Sequence, residues 1–187
     1  VHGGGGRDVM EAGDAIATIA RLHARHGTTA FLATTMTAPL PEIEAALQAT
    51  RGHCLQRVAG GARRLGVHLD GPFINPERLG AKPDFAVQGT VESVQALARI
   101  APIRLITLAP ERPGHMALIA PLREAGFRVQ IGHSNGRYEQ GREALECLRT
   151  NLSAVAKSLR ADERVCAVSK ADALTWTPTD GARAGLV

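Results

Sequence analysis

Aromatic side chains are scarce in this chain: four Phe, one Tyr and one Trp, or 3% of 187 residues. Proteins that bind single-stranded nucleic acid stack bases on aromatics set among basic groups. Here the 22 Lys and Arg are scattered rather than run together, so no nucleic-acid partner is expected. Cysteine is scarce as well. Cys54, Cys147 and Cys166 are odd in number, far apart and form no CxxC pair, which reads as reduced thiols rather than a disulfide framework. No uninterrupted apolar run approaches the ~20 residues of a membrane span, so no membrane partner is expected either. The opening residues Val1-His2-Gly3-Gly4-Gly5-Gly6 have no initiator Met, no basic n-region and no apolar h-region. They read as a start in mid-motif, with a cytoplasmic location.

The length suffices for one domain with its own core, but falls short of the roughly 250 residues of a complete eight-fold barrel. The formal charge of +4 and pI of 9.4 lean weakly toward anionic metabolites. Helical and strand patterns alternate along the chain. Ala15 to His26 carries Ile16, Ile19, Ala20 and Leu22 at helical spacing and is closed by Gly27. Thr28 to Thr35 is β-branched and apolar, a buried strand. Pro41 opens a helix through Ile43, Ala46 and Leu47. A strand ending at Asp70 is followed by a long loop with Pro76, Gly80 and Pro83. A helix over 91–100, a strand over 103–108, a helix over 113–125, a strand over 127–131 and a helix over 138–148 complete the series. Near-continuous apolar strands alternating with helices predict an α/β fold with a parallel sheet or barrel. From about Leu148 the pattern degrades. Asn151 to Leu159 reads as helical, Val165 to Val168 as a short strand, and Thr175 to Gly181 as turns.

Two strands end in residues able to bind metal. In Leu65-Gly66-Val67-His68-Leu69-Asp70 the strand stops at Gly71-Pro72, and the twofold alternation turns His68 and Asp70 to one face. Arg128-Val129-Gln130-Ile131-Gly132-His133-Ser134-Asn135 has the same form. Parallel α/β folds place their chemistry at the C-terminal ends of strands. Asp70 and His133 are therefore expected on one rim, with ligand atoms within about 5 Å, as metal bonds of roughly 2 Å require. His68, deeper on the strand, reads as a hydrogen-bonded interior residue. His23, His26, His53 and His115 read as surface residues on helices or their ends. Gly3 to Gly6 lacks the GxGxxG spacing and the phosphate-loop Lys-Ser/Thr, and reads as a flexible loop.

Taken together, Val1 to Gly6, Gly27-Thr28-Thr29, Gly66 to Asn75, Leu79-Gly80-Ala81, Thr107 to Glu111 and Gly132 to Asn135 resemble the N-acetylglucosamine-6-phosphate deacetylases of the amidohydrolase superfamily. The motifs stand in the family's order over about residues 1–147. The resemblance implies roughly the first half of a TIM-type (β/α)8 barrel of the metal-dependent hydrolase kind. The implied reaction converts N-acetylglucosamine 6-phosphate to glucosamine 6-phosphate and acetate. It further implies a divalent metal, zinc by preference, and a homodimer. Its metal ligands map onto Asp70 and His133, and His2 matches the second His of a His-x-His pair that members with a second metal add. Its substrate contacts after the Gly of Lys-Gly-Ala-His map onto Ala81 and Lys82.

The chain departs from the family at defined places. Asp70 replaces a Glu and Lys82 replaces a His. No His follows His133, so the family's later His ligand has no counterpart. The late-strand Asp that serves as acid/base has none that can be assigned, since Asp162, Asp172 and Asp180 have no matching context. The expectation is a partial barrel over 1–147 with an atypical tail over 148–187. Two other readings stay open. One is another amidohydrolase such as a cyclic amidase, which relies on a carbamylated strand-end Lys not seen here. The other is a non-catalytic β/α remnant.

Overall fold

The computed structural model describes residues 1–158 except positions 12, 56 and 57, and leaves undescribed the side chains of 53–57 and 149–158. A two-stranded hairpin comes first, β1 Gly3–Gly4 paired antiparallel with β2 Arg7–Asp8. Then follow α1 Ala15–Arg25, β3 Ala30–Thr34, α2 Leu40–Leu55, β4 Arg63–Asp70, α3 Val91–Ile100, β5 Ile103–Leu108, α4 His115–Glu124, β6 Arg128–Ile131 and α5 Tyr138–Ser158. A single 3-10 turn, Pro76–Arg78, lies in the loop after β4.

The four longer strands form one parallel sheet in the order β3-β4-β5-β6. Sequence order equals spatial order. A doubly wound sheet reverses its order at a switch point; an unreversed β/α series is how a barrel grows. The helices take one face. Val67 and Leu69 of β4 and Ile106 and Leu108 of β5 pack against Ile43 and Leu47 of α2, Val94 and Leu97 of α3, and Ile119 and Leu122 of α4. Each such side chain, fully buried, contributes roughly 1.5–3 kcal/mol. A second cluster joins Ile16 and Ile19 of α1 to Phe31 and Ala33 of β3. Strand alternation sends His68, Asp70 and Thr107 to the opposite face, which a closed barrel would enclose.

The helix ends follow the chain's own signals. Thr90 and Ser93 form a reciprocal capping box at the start of α3. Gly27 and Gly126 take the left-handed positions after α1 and α4. Three expectations are corrected. Gly3 to Gly6 is a tight hairpin and not a flexible loop: Gly5 and Gly6 sit at φ 66° and 74°, as a type I′ turn demands. His115 is fully buried, because the α4 N-terminus is tucked under the loops after β4 and β5. There its Nδ1 donates to Ala109 O (3.0 Å) and its Nε2 accepts from Gly89 N (2.9 Å). His23 is half-buried against Gly3 O (3.1 Å), whereas His26 is exposed and the side chain of His53 lies outside the described residues.

The last helix is longer than its pattern implied. α5 runs unbroken from Tyr138 to Ser158, taking in most of the segment read as a separate helix. The strand and turns expected over 165–181, and Asp162, Asp172, Asp180 and Cys166 with them, lie outside the described residues. Cys147 is a free thiol. No described helix is long and apolar enough to cross a membrane.

Candidate metal centre

Asp70 ends β4, and the chain leaves the sheet abruptly after it. Gly71 has φ 94°, and a Cβ built there would lie 2.1 Å from Thr37 Oγ1. Only glycine lets the backbone turn at this point. The next residues drop inward: Phe73 and Ile74 are buried, Pro72 O accepts from Val87 N (2.9 Å), and Phe73 O accepts from Ala109 N (3.1 Å). The carboxylate thus starts from a backbone anchored on both sides.

Four groups meet there. Asp70 is 6% exposed. Its Oδ2 accepts from Lys82 Nζ at 2.5 Å and faces His2 Nε2 at 3.5 Å. Its Oδ1 faces His133 Nε2 at 3.9 Å. Burial pushes the Asp70 carboxyl up, but the Lys82 hydrogen bond and charge, with His68 and the Thr107 hydroxyl, hold it net below its ordinary value. His2 is lowered, first by burial and also by the Lys82 charge, with Asp70 opposing. His68 lies beneath, spanning Thr107 Oγ1 (2.7 Å from Nε2) and Thr34 Oγ1 (3.4 Å from Nδ1). Burial is the main reason its pKa falls to about 4. It is the neutral interior histidine its position on the strand implied.

His133 is the one described non-glycine residue at positive φ, 49°. Such a backbone costs of order 1–3 kcal/mol and persists only where its surroundings impose it. The loop after β4 does so. Asn75 N donates to His133 O (3.0 Å), and His133 Nδ1 donates to Arg78 O (2.9 Å). A carbonyl only accepts, so Nδ1 carries a proton, and Nε2 is the nitrogen turned toward Asp70. Glu111, in the loop after β5, ties the same two loops together. It accepts from Asn75 Nδ2 (2.8 Å), Asn135 N (2.7 Å) and Ser134 Oγ (2.6 Å). Burial raises the Glu111 carboxyl, yet these three donors bring it net below its ordinary value. Glu111 stands in the sequence with no sign of this role. A carboxylate three residues past a strand end was the available signal, but its partners come from two other loops.

The expected site residues therefore divide. Asp70, His133 and His2 converge. Lys82, mapped above onto a substrate contact, joins them as the partner of Asp70: its side chain is 4% exposed and its ammonium bonds Oδ2. Ala81 is exposed beside it. One carboxylate and two imidazoles fit a divalent ion in type, and each imidazole lies from its carboxylate oxygen (3.5 Å to Oδ2, 3.9 Å to Oδ1) at about the ~3–4 Å that bonds of about 2 Å set between ligand atoms. They are not closed into a ready three-donor cluster, and no such cluster occurs among the described residues. The ammonium on Oδ2 is the part of the arrangement that opposes a metal.

No family model matches the chain. It is similar to the N-acetylglucosamine-6-phosphate deacetylase of Lysinibacillus sphaericus, 38% identical over 150 residues, 78% of this chain and 38% of that protein. It is also similar to the N-acetylgalactosamine-6-phosphate deacetylase of Escherichia coli O157:H7, 37% identical over 78% of this chain and 40% of that protein. Among solved structures, an N-acetyl-D-glucosamine-6-phosphate deacetylase from Mycobacterium smegmatis, determined in complex with N-acetyl-D-glucosamine-6-phosphate, superposes with a TM-score of 0.70 at 30% identity. That match covers 79% of this chain and 38% of the other. The chain thus spans about two fifths of the length of these curated relatives, with which it shares both sequence and the β/α barrel-type fold.

Proposed function

We propose that this chain, related over most of its length to amino-sugar-phosphate deacetylases, forms the ligand-bearing rim of an enzyme that deacetylates N-acetylglucosamine 6-phosphate in the cytoplasm. The products are glucosamine 6-phosphate and acetate. The convergence of Asp70 and His133, at the C-terminal ends of parallel strands, with His2 from the start of the hairpin carries this reading. These three side chains would hold the divalent ion, for which zinc suits the mixed imidazole and carboxylate set. When bound, such an ion acidifies a coordinated water and polarises the acetamide carbonyl. The chain's own residues do the rest of what is described. Glu111, Asn75 and Arg78 set the His133 ring and its tautomer. Thr107 and His68 support Asp70 from below. Ala81, exposed next to Lys82, is the position that the resemblance gives to a sugar contact. The similarity to the galactosamine enzyme makes N-acetylgalactosamine 6-phosphate the second substrate to try.

Zinc titration of the full chain by calorimetry tests the ligand set. One site per chain is expected, weakened strongly in His133→Ala and Asp70→Ala. Acetate release from the two sugar phosphates, measured in parallel, is expected to be far below that of an intact enzyme. None of the described residues is placed as the proton donor to the leaving amine, and general acid/base catalysis accounts for about 10²–10⁴-fold. Zinc binding unaffected by either substitution would overturn the assignment of the ligands. Acetate release at a rate typical of a complete enzyme would overturn the view that the acid/base lies outside these residues.

A further inference from the structure

We propose that Lys82 is a built-in cation for Asp70, and that a divalent ion enters this rim only by displacing it. The inference rests on the ligand reading above. Lys82 lies in a surface loop whose neighbours Ala81, Pro83 and Asp84 are all exposed, yet it alone is turned inward. Lysine is also rare here: with Lys157 and Lys170 it makes three among 22 basic residues, the other 19 being arginine. The type matters. A guanidinium grips both carboxylate oxygens in a planar fork, whereas an ammonium is a compact point charge. Lys82 Nζ takes Oδ2 end-on at 2.5 Å and leaves Oδ1 directed at His133. It therefore occupies Asp70 much as a metal ion would.

A buried carboxylate without a counter-cation is costly, so Asp70 needs one in every state of the rim. An ion held between His2 and Asp70 would share Oδ2 with Lys82, and two cations on one oxygen repel each other at that range. Metal and lysine are accordingly alternatives. With the metal absent, the ammonium neutralises Asp70 and keeps the rim assembled. For the metal to bind, the Lys82 side chain must swing out of its buried position, and it becomes exposed to solvent.

Calorimetric titration of the full chain with Zn²⁺ tests this, using the native protein, Lys82→Met and Lys82→Arg, with circular dichroism to confirm folding. Lys82→Met is expected to bind at least about tenfold more tightly than native. Lys82→Arg, which keeps a cation, is expected to bind no better than native. A second measurement needs no variant. Reductive methylation read by mass spectrometry should label Lys82 slowly in chelator and much faster with Zn²⁺. Equal affinity in native and Lys82→Met, or labelling that zinc leaves unchanged, overturns the displacement while leaving the ligand set intact. No zinc binding by any of the three proteins removes the ligand reading and the inference together. Should Lys82→Met fail to fold, Lys82→Arg binding more tightly than native would overturn the inference, and the labelling result decides the remainder.

Discussion

The Nε2 of His133 stands 3.9 Å from the Oδ1 of Asp70, and the histidine reaches that place from a left-handed backbone at φ 49°. Neither residue could set this distance alone. Asp70 is rigid because it ends a buried strand. His133 is placed by hydrogen bonds from loops after two other strands. The rim is therefore a product of loop-to-loop bonding, and Glu111 is its hub.

Glu111→Gln keeps one acceptor oxygen and turns the other into a donor facing the Ser134 hydroxyl. Stability is expected to fall by about 0.5–1.5 kcal/mol, since a charged acceptor is lost at a half-buried position where the Ser134 hydroxyl can turn to accept from the new amide. Zinc affinity should fall roughly 10–100-fold, as it does when an outer partner orienting a ligand is lost. Thermal melts and calorimetry measure the two effects separately. A destabilised protein with unchanged zinc affinity would show that Glu111 holds the loops without placing His133.

Asp70→Asn keeps the shape and removes the charge. Lys82 is then a buried ammonium without its counter-ion, and destabilisation of about 3–5 kcal/mol is expected. The double variant Asp70→Asn, Lys82→Met should recover most of that loss. Chemical denaturation of the four proteins gives the coupling directly. Additive losses would mean that the pair contributes nothing as a pair.

Gly71→Ala forces a Cβ to within 2.1 Å of Thr37 Oγ1 at a φ of 94°. A loss of about 2–4 kcal/mol is expected from steric conflict and backbone strain together. Adding Thr37→Ala should restore part of it by removing the clash but not the strain. If the double variant is no more stable than the single one, backbone conformation alone accounts for the glycine.

His115 supplies a pH dependence remote from the metal ligands. Burial lowers its pKa, with the bond to Ala109 O partly opposing. The unfolded chain therefore takes up a proton near pH 6.5 that the folded chain refuses. Stability from this group is complete above that pH and is lost as the pH falls below it, at up to about 1.4 kcal/mol per pH unit for one proton. His68, with its pKa near 4, acts in the same direction. Melting temperatures from pH 7.5 to 5 should fall more steeply for the native protein than for His115→Gln. Parallel slopes would mean that His115 titrates normally despite its burial.

Much of this molecule is legible in its residues. The alternation of apolar strands with helices specified a parallel β/α array because burial on both faces of a strand and on one stripe of a helix leave different periods. Asp70 and His133 could be read as a pair because strand ends in such arrays share one rim. Their motifs carried the family resemblance that the comparisons support. What the residues could not convey is which loops bond to which. Lys82 was expected at a substrate contact because of the motif around it; its inward rotation depends on the Asp70 charge meeting it in space. His115 looked like a surface residue because part of its burial comes from the loop holding Gly89, 26 positions away. Glu111 had no visible role because its three donors belong to residues 36, 23 and 24 positions away. Local patterning determines elements, since periodicity and capping act within a few residues. Only the tertiary structure decides the charge balance of the rim, since that depends on which loops the sheet brings side by side.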